Sequence, residues 1–252
     1  MAGSAESKWK RPESVPVPTI WRTCSGLRPM PDGKIPKFRI QDVPPDMHDE
    51  VVQFMSDHFF RDEALCSCLN VLGDPVSLKG FQDFWKELLQ QNMALVAFLE
   101  EDGGGTSTRI AGANITAISY KTDHYSYDMF KGHATRVIVR DILEYASYIV
   151  NVYDHYGVDK YMTALGLCVD RTFRGQGLGL EILKARFDLG RAVGMEVTMT
   201  AFTGPASQIL AHRVGMDVLA EVMYEDFKDE DGKPVYPNIK SKSCKIMAAR
   251  IK

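Results

Sequence analysis

The order of apolar patterns along this chain predicts a mixed α/β fold, a central sheet flanked by helices. Three observations carry that prediction. Strand-like and helix-like segments follow one another as strand, two helices, two strands, helix, strand, helix, strand, helix, two strands. Both hairpin-length and crossover-length connections occur, so the sheet should mix antiparallel and parallel neighbours. Third, the stretch A-L-G-L-C-V-D-R-T-F-R-G-Q-G-L-G, residues 164–179, runs from an apolar strand through a glycine-rich turn into an amphipathic helix.

Taken in order, residues 1–36 hold six of the 12 prolines (Pro12, Pro16, Pro18, Pro29, Pro31 and Pro36) and no sustained periodicity, which predicts an extended or partly disordered arm. Trp9 and Trp21 give it something to dock with. From Lys37 the alternation of Phe38, Ile40 and Val43 reads as a first strand ended by Pro44 and Pro45. A helix follows with Met47, Val51, Phe54, Met55 and Phe59 on one face, stopping at the charged turn Arg61-Asp62-Glu63. A second helix reads from Ser77 through Leu89. Met93–Leu99 and Arg109–Tyr120 form a hairpin around the glycine-rich loop 101–108, and a polar–aromatic loop follows with His124, Tyr125, Tyr127 and Phe130. Thr135–Tyr156 reads as one long helix ended by Gly157. After the central strand, turn and helix come a strand at Met195–Phe202, a short helix opened by Gly204-Pro205, a strand at Met216–Phe227, a turn at Asp229–Lys233 and a last strand at Cys244–Ile251.

With 252 residues and 45% hydrophobic composition, the chain can bury one core, as a domain at 37–252 behind the arm. A net charge of −3 gives no electrostatic case for nucleic acid. The five scattered cysteines make no C-x-x-C pair, the N-terminus lacks a secretory apolar region, and no run is long enough to span a membrane. The expectation is a cytoplasmic monomer with a small-molecule partner and no metal, nucleic acid or membrane.

Free N–H groups and the positive end of a helix dipole make a strand–glycine turn–helix junction an anion site. A dinucleotide fingerprint would need G-x-G-x-x-G; here Gly175, Gly177 and Gly179 alternate. A P-loop would need Lys after its last glycine, where this chain has Leu180. Three glycines at a helix start cost about 1 kcal/mol each, a cost that makes sense if backbone must approach a ligand.

R-G-Q-G-L-G matches the [RQ]-x-x-G-x-[GA] signature of the GNAT superfamily of acyl-CoA-dependent acyltransferases, which the chain therefore resembles. The resemblance implies the GNAT acyl-CoA N-acyltransferase fold and acetyl-CoA as co-substrate. It places the coenzyme pyrophosphate on Arg174, Gly175, Gln176, Gly177, Leu178 and Gly179, and the pantetheine arm along the main chain of Leu167, Cys168 and Val169. Near the next helix Ser207 takes the superfamily's Asn position and joins the coenzyme contacts, while Ala211 stands where a Tyr is usual. Within the superfamily the chain most resembles the insect-type arylalkylamine N-acetyltransferases, through F-F-R-D-E-A-L at 59–65, V-D-x-x-F-R-G-x-G at 169–177 and F-T-G-P-A-S at 202–207. Ala64 replaces that family's usual Pro, and Thr203 the first of its two serines. The implied reaction is acetylation of a small primary amine of the dopamine, serotonin, tryptamine or octopamine type. Polyamine acceptors, longer acyl donors and a non-catalytic acyl-CoA sensor are the alternatives.

That chemistry needs a base, because an alkylamine of pKa near 10.4 is only about one part in 10³ neutral at pH 7. The resemblance puts the role on Glu63, which sits between Phe59-Phe60 and Leu65 where partial desolvation suits proton acceptance. The alternative is a solvated charge paired with Arg61. Asp62 is a secondary candidate, able to cap, to orient or, with Glu63, Tyr125 and Tyr127, to contact the amine. Main-chain N–H groups at Cys168 and Val169 are placed to receive the developing oxyanion. The Cys168 thiol, lacking a neighbouring His, reads as core rather than nucleophile. Thr203 and Ser207 either position reacting groups or cap the helix beside them. Tyr145, Tyr148 and Tyr153 either stack on an aryl acceptor or belong to the core.

Overall fold

The computed structural model describes residues 9–100, 108–122 and 129–252. Eight strands form one mixed sheet: β1 (Ile20–Ser25), β2 (Lys37–Asp42), β3 (Leu95–Glu100), β4 (Ile110–Tyr120), β5 (Lys160–Val169), β6 (Val197–Phe202), β7 (Asp217–Met223) and β8 (Ser243–Arg250). Their spatial order is β1-β2-β3-β4-β5-β6-β8-β7. Every neighbouring pair is antiparallel except β5 and β6, which are parallel. The one parallel junction follows from the crossover between those strands through a helix packed on the sheet.

Helices cover both faces. On one side lie α1 (His48–His58), α2 (Ala64–Cys68), α3 (Pro75–Leu89), α4 (His133–Ile138), α5 (Tyr145–Ile149) and α6 (Val152–Tyr156). Their apolar stripes, such as Val51, Val52 and Met55 of α1 and Phe81, Trp85 and Leu88 of α3, share a core with Val96, Phe98 and Ile115. On the other side, α7 (Leu178–Ala192) buries Leu178, Ile182, Ala185 and Leu189 against Ile40, Leu95 and Met162. The last helix, α8 (Pro205–Arg213), closes a smaller cluster of Phe202, Ala211, Met216 and Met247.

Four local differences from the sequence prediction have identifiable causes. The sheet opens at β1, within the proline-rich arm, where Asp42 holds the incoming chain. Its carboxylate accepts from Arg11, from Trp21 Nε1 at 2.9 Å and from the N–H of Thr19 at 2.8 Å. Such an anchor, 31 residues from Arg11, leaves no local periodicity to read. The second helix starts at Pro75, two residues early, because Asp74 caps it by accepting from Ser77 N at 3.0 Å. The long helix is broken: α4 passes through a π-helical stretch, Val139–Glu144, into α5, and Asn151 caps a separate α6. Finally, β7 stops at Met223 and the chain turns through Tyr224–Asp226, where the Tyr224 hydroxyl donates to Thr203 O at 2.9 Å.

Candidate active site

The site is built around the seam between β5 and β6. Those strands register only at Met162 and Thr198, whereas β6 pairs with β8 along its whole other edge, Val197 to Phe202. From Ala164 to Val169, β5 is paired on the β4 side through partners Gly112 to Thr116, while its β6 side has no pairing among the described residues. Where the ladder stops, the guanidinium of Arg186, 1% exposed on α7, donates to Met162 O at 3.0 Å, Met199 O at 3.2 Å and Thr200 Oγ1 at 2.8 Å. A side chain thus satisfies carbonyls from both strands. Burial pulls the Arg186 guanidinium down to about 9, and no carboxylate is among these partners.

A bulge shapes the open edge. Asn114 pairs with Leu167 but Thr116 with Ala164, so Leu165 and Gly166 stand together opposite Ile115. Gly166 has φ +114°, a conformation that a side chain would oppose. The bulge carbonyls are fixed from outside: Trp85 Nε1 donates to Leu165 O and Asn114 Nδ2 to Gly166 O, each at 2.8 Å. Beyond Val169, the chain turns through Asp170–Arg174 into Gly175 and Gly177, at φ +76° and +79°. Gly177 caps α7 without a side chain, so the first N–H groups of that helix face outward without intrahelical acceptors. Gly179 lies inside the helix, where a Cβ would meet Leu210 Cδ1 at 3.2 Å; its smallness serves helix packing.

Across the seam stands Glu63. Phe59 and Phe60 pack on Trp85, with ring centroids 5.7 and 5.0 Å from it. The chain then folds back tightly enough that Asp62 N and Glu63 N both donate to Phe59 O. Glu63 is the N-cap of α2: its Oε2 accepts from Cys66 N at 2.7 Å, and its Oε1 accepts from the hydroxyl of Thr203, just past the end of β6. Among the described residues the Glu63 carboxylate is held by these two donors, with the Cys66 thiol also against it, rather than by Arg61. Neither candidate hydroxyl caps α8, whose N-cap is Gly204; Ser207 Oγ donates to Gly204 O at 2.9 Å.

Asp62 turns the other way, accepting from Arg171 and from Arg174 of the glycine turn. The Arg171 hydrogen bond, with help from Arg174, holds its carboxyl down to about 2. Both Asp62 oxygens therefore face the turn. Burial pushes the Cys168 thiol up to about 12, so it is a protonated core group at neutral pH.

Of the acceptor candidates, His124, Tyr125 and Tyr127 lie outside the described residues. Phe130 is core, edge-on to Phe84 at 5.2 Å, and Tyr153 bonds Ser119 Oγ through its hydroxyl at 2.8 Å. Tyr145 reaches an aromatic row that the sequence reading missed. It runs from Tyr145 to Phe227 at 5.9 Å, to Tyr236 at 5.7 Å and to Tyr224 at 5.5 Å, ending on Thr203. Its only sequence trace is three aromatics flanking the Asp229–Lys233 turn. No group of three or more His, Cys, Asp or Glu side chains among the described residues is placed to hold a metal ion.

No family model matches the chain, and no curated protein sequence does. Solved structures do. A protein described as arylalkylamine N-acetyltransferase 7 of the yellow fever mosquito is 34% identical, superposes with a TM-score of 0.88 and covers 97% of this chain and 100% of its own. The chain belongs to the insect arylalkylamine N-acetyltransferases. The GNAT fold extends further: arylalkylamine N-acetyltransferase 2 of Aedes aegypti, 22% identical, matches 85% of this chain and 99% of its own at a TM-score of 0.74. A Drosophila melanogaster polyamine N-acetyltransferase, 16% identical, matches 84% and 99% at 0.66. Membership of that family makes the chain an acyltransferase. No helix among its described residues is long and apolar enough to cross a membrane.

Proposed function

We propose that the protein acetylates a small primary arylalkylamine by direct transfer from acetyl-CoA, both substrates being bound together, with Glu63 as general base. The observation that carries this reading is the position of the Glu63 carboxylate. It is fixed by Cys66 N and Thr203 Oγ1 at the end of β6, across from the unpaired edge of β5. An extended acyl-pantetheine fits that edge as an added strand, its thioester brought to the N–H of Val169 and its diphosphate to the outward N–H groups of Gly177, Leu178 and Gly179; the Cys168 N–H points to β4, like that of Asp170, which donates to Ala111 O, and is not free for the oxyanion. The resting N-cap bond to Oε2 and the Thr203 bond to Oε1 leave the second lone pair of each oxygen for an ammonium or a bridging water. After deprotonation, the amine attacks the carbonyl; Ser207, half-buried beside Thr203, is the hydroxyl nearest in sequence to hold a proton or water for the departing thiolate. Tyr224 and Tyr236 of the aromatic row are core, and its half-exposed end, Tyr145 and Phe227, is the part open to an aryl acceptor.

The test is thiol release from acetyl-CoA across a panel of dopamine, serotonin, tryptamine, octopamine, agmatine and spermidine. Turnover of the aryl amines, with Glu63→Gln lower in kcat by about 10²–10⁴-fold, is the expected result. Preference for the polyamines overturns the acceptor assignment. Thiol release by none of them, with retained CoA binding, makes the protein a sensor. Unchanged kcat in Glu63→Gln removes the base.

A further inference from the structure

The glycine turn is covered by the N-terminal arm. After β1, Gly26 N donates to Pro36 O at 2.7 Å, folding the arm back so that residues 27–30 cross the turn. Gln176, 5% exposed, spends its amide on that segment: its Oε1 accepts from Arg28 N at 3.1 Å and its Nε2 lies 3.4 Å from Met30 Sδ. The Gln176 side chain thus binds the arm. Arg28 itself reaches over Gly175, donating from Nε to Gly175 O at 3.3 Å, and its Nη2 stands where a Cβ on Gly175 would be, 1.9 Å away.

The charges around the turn single out this arginine. Arg174 is already paired with Asp62, Arg22 with Glu181 and Asp188, and Lys184 with Glu181. The Arg28 side chain is exposed, its hydrogen bond goes to a carbonyl, and no ion pair neutralises it among the described residues. A fixed guanidinium without a carboxylate, presented beside outward N–H groups, is a phosphate-binding arrangement. The nucleotide end of CoA offers two acceptors, a diphosphate and a 3′-phosphate.

We propose that Arg28 is a coenzyme-binding residue contributed by the arm, its guanidinium pairing with a phosphate of the bound CoA. The inference rests on the assignment of the Arg174–Gly179 turn to the coenzyme. Calorimetric titration of CoA and 3′-dephospho-CoA into wild type, Arg28→Gln and Arg28→Lys tests it. Gln keeps a donor for Gly175 O and removes only the charge, and the melting temperature of the free protein reports whether the arm stays docked. The expected result is an affinity for CoA about tenfold weaker in Arg28→Gln, partly restored in Arg28→Lys. The dependence of log Kd on log salt should be shallower in Arg28→Gln, and the KM for the amine unchanged. A loss that disappears with 3′-dephospho-CoA assigns the 3′-phosphate, and one that persists assigns the diphosphate. Equal CoA affinities for wild type and Arg28→Gln overturn the Arg28 contact while leaving the turn in place. A wild-type protein that binds no CoA overturns the turn assignment and the contact with it.

Discussion

Thr203 and Glu63, 140 residues apart in sequence, are joined by a hydrogen bond from the threonine hydroxyl to the Glu63 carboxylate. The bond ties the end of β6 to the N-cap of α2, so the proposed base is positioned by the strand that diverges from the proposed coenzyme edge. Thr203→Val keeps the shape and removes the donor. It should lower kcat about tenfold with little change in the KM for acetyl-CoA, whereas Thr203→Ser should stay within about threefold of wild type. Steady-state kinetics on the best amine decide it. Equal rates for Val and Thr would show that the hydroxyl is dispensable.

Asp62 gives a pH-dependent signature. Its folded value, about 2, lies below that of the unfolded chain, so the native state binds fewer protons and the Arg171 and Arg174 bonds contribute stability above about pH 4. That contribution fades as pH falls from about 4 towards 2. The cluster is partly exposed, and solvent screening keeps its contribution small. Asp62→Asn should therefore melt about 2 °C below wild type at pH 6, with the gap narrowing below pH 4. A gap that widens on acidification contradicts the assignment.

Gly166 should not tolerate a side chain. An added Cβ would lie 2.9 Å from Met55 Cε and 3.1 Å from Phe59 Cε2, at a φ that already disfavours it. Gly166→Ala is expected to cost about 1–3 kcal/mol in urea unfolding. Because Phe59 leads into the Glu63 turn, kcat/KM should fall about tenfold. A variant that loses neither would show that the bulge is not needed.

Cys168 should be a bystander. With its thiol pushed up to about 12 by burial, it is neither a nucleophile nor an alkylation target at neutral pH. Cys168→Ala should keep kcat within about threefold, and mass spectrometry after mixing wild type with acetyl-CoA should find no acetylated cysteine. An acetyl-enzyme on Cys168 would replace direct transfer by a two-step mechanism.

The mixed sheet and the glycine turn were legible because both are written in contiguous residues: period-two alternation in β2, apolar runs in β3 and β5, and R-G-Q-G-L-G. The turn that carries Glu63 was legible through a local motif, F-F-R-D-E-A-L. What escaped depends on distant partners. Strand β1 is held by Asp42 and lies on the sheet edge; its half-exposed residues show no apolar stripe. The Gln176 side chain belongs to the arm, and the turn that contains it gives no sign of this. The row Tyr145, Phe227, Tyr236 and Tyr224 draws on two segments separated in sequence by β5, β6 and β7, and reads in sequence as unrelated aromatics. The break at Asn151 was hidden because Tyr145, Ile149, Val152 and Tyr153 keep helical spacing in the sequence across it.

The seam at Met162 and Thr198 has a consequence for the life of the protein outside its reaction. A strand edge left open in mid-sheet is a template for any extended polypeptide, and proteins normally shield such edges to avoid aggregation. On the proposed placement of pantetheine along β5, the donor substrate would be that shield, and at a concentration of 100 Kd the folded state would gain about 2.7 kcal/mol. On that placement, the supply of acyl donor would bear on the protein's stability as well as on its rate.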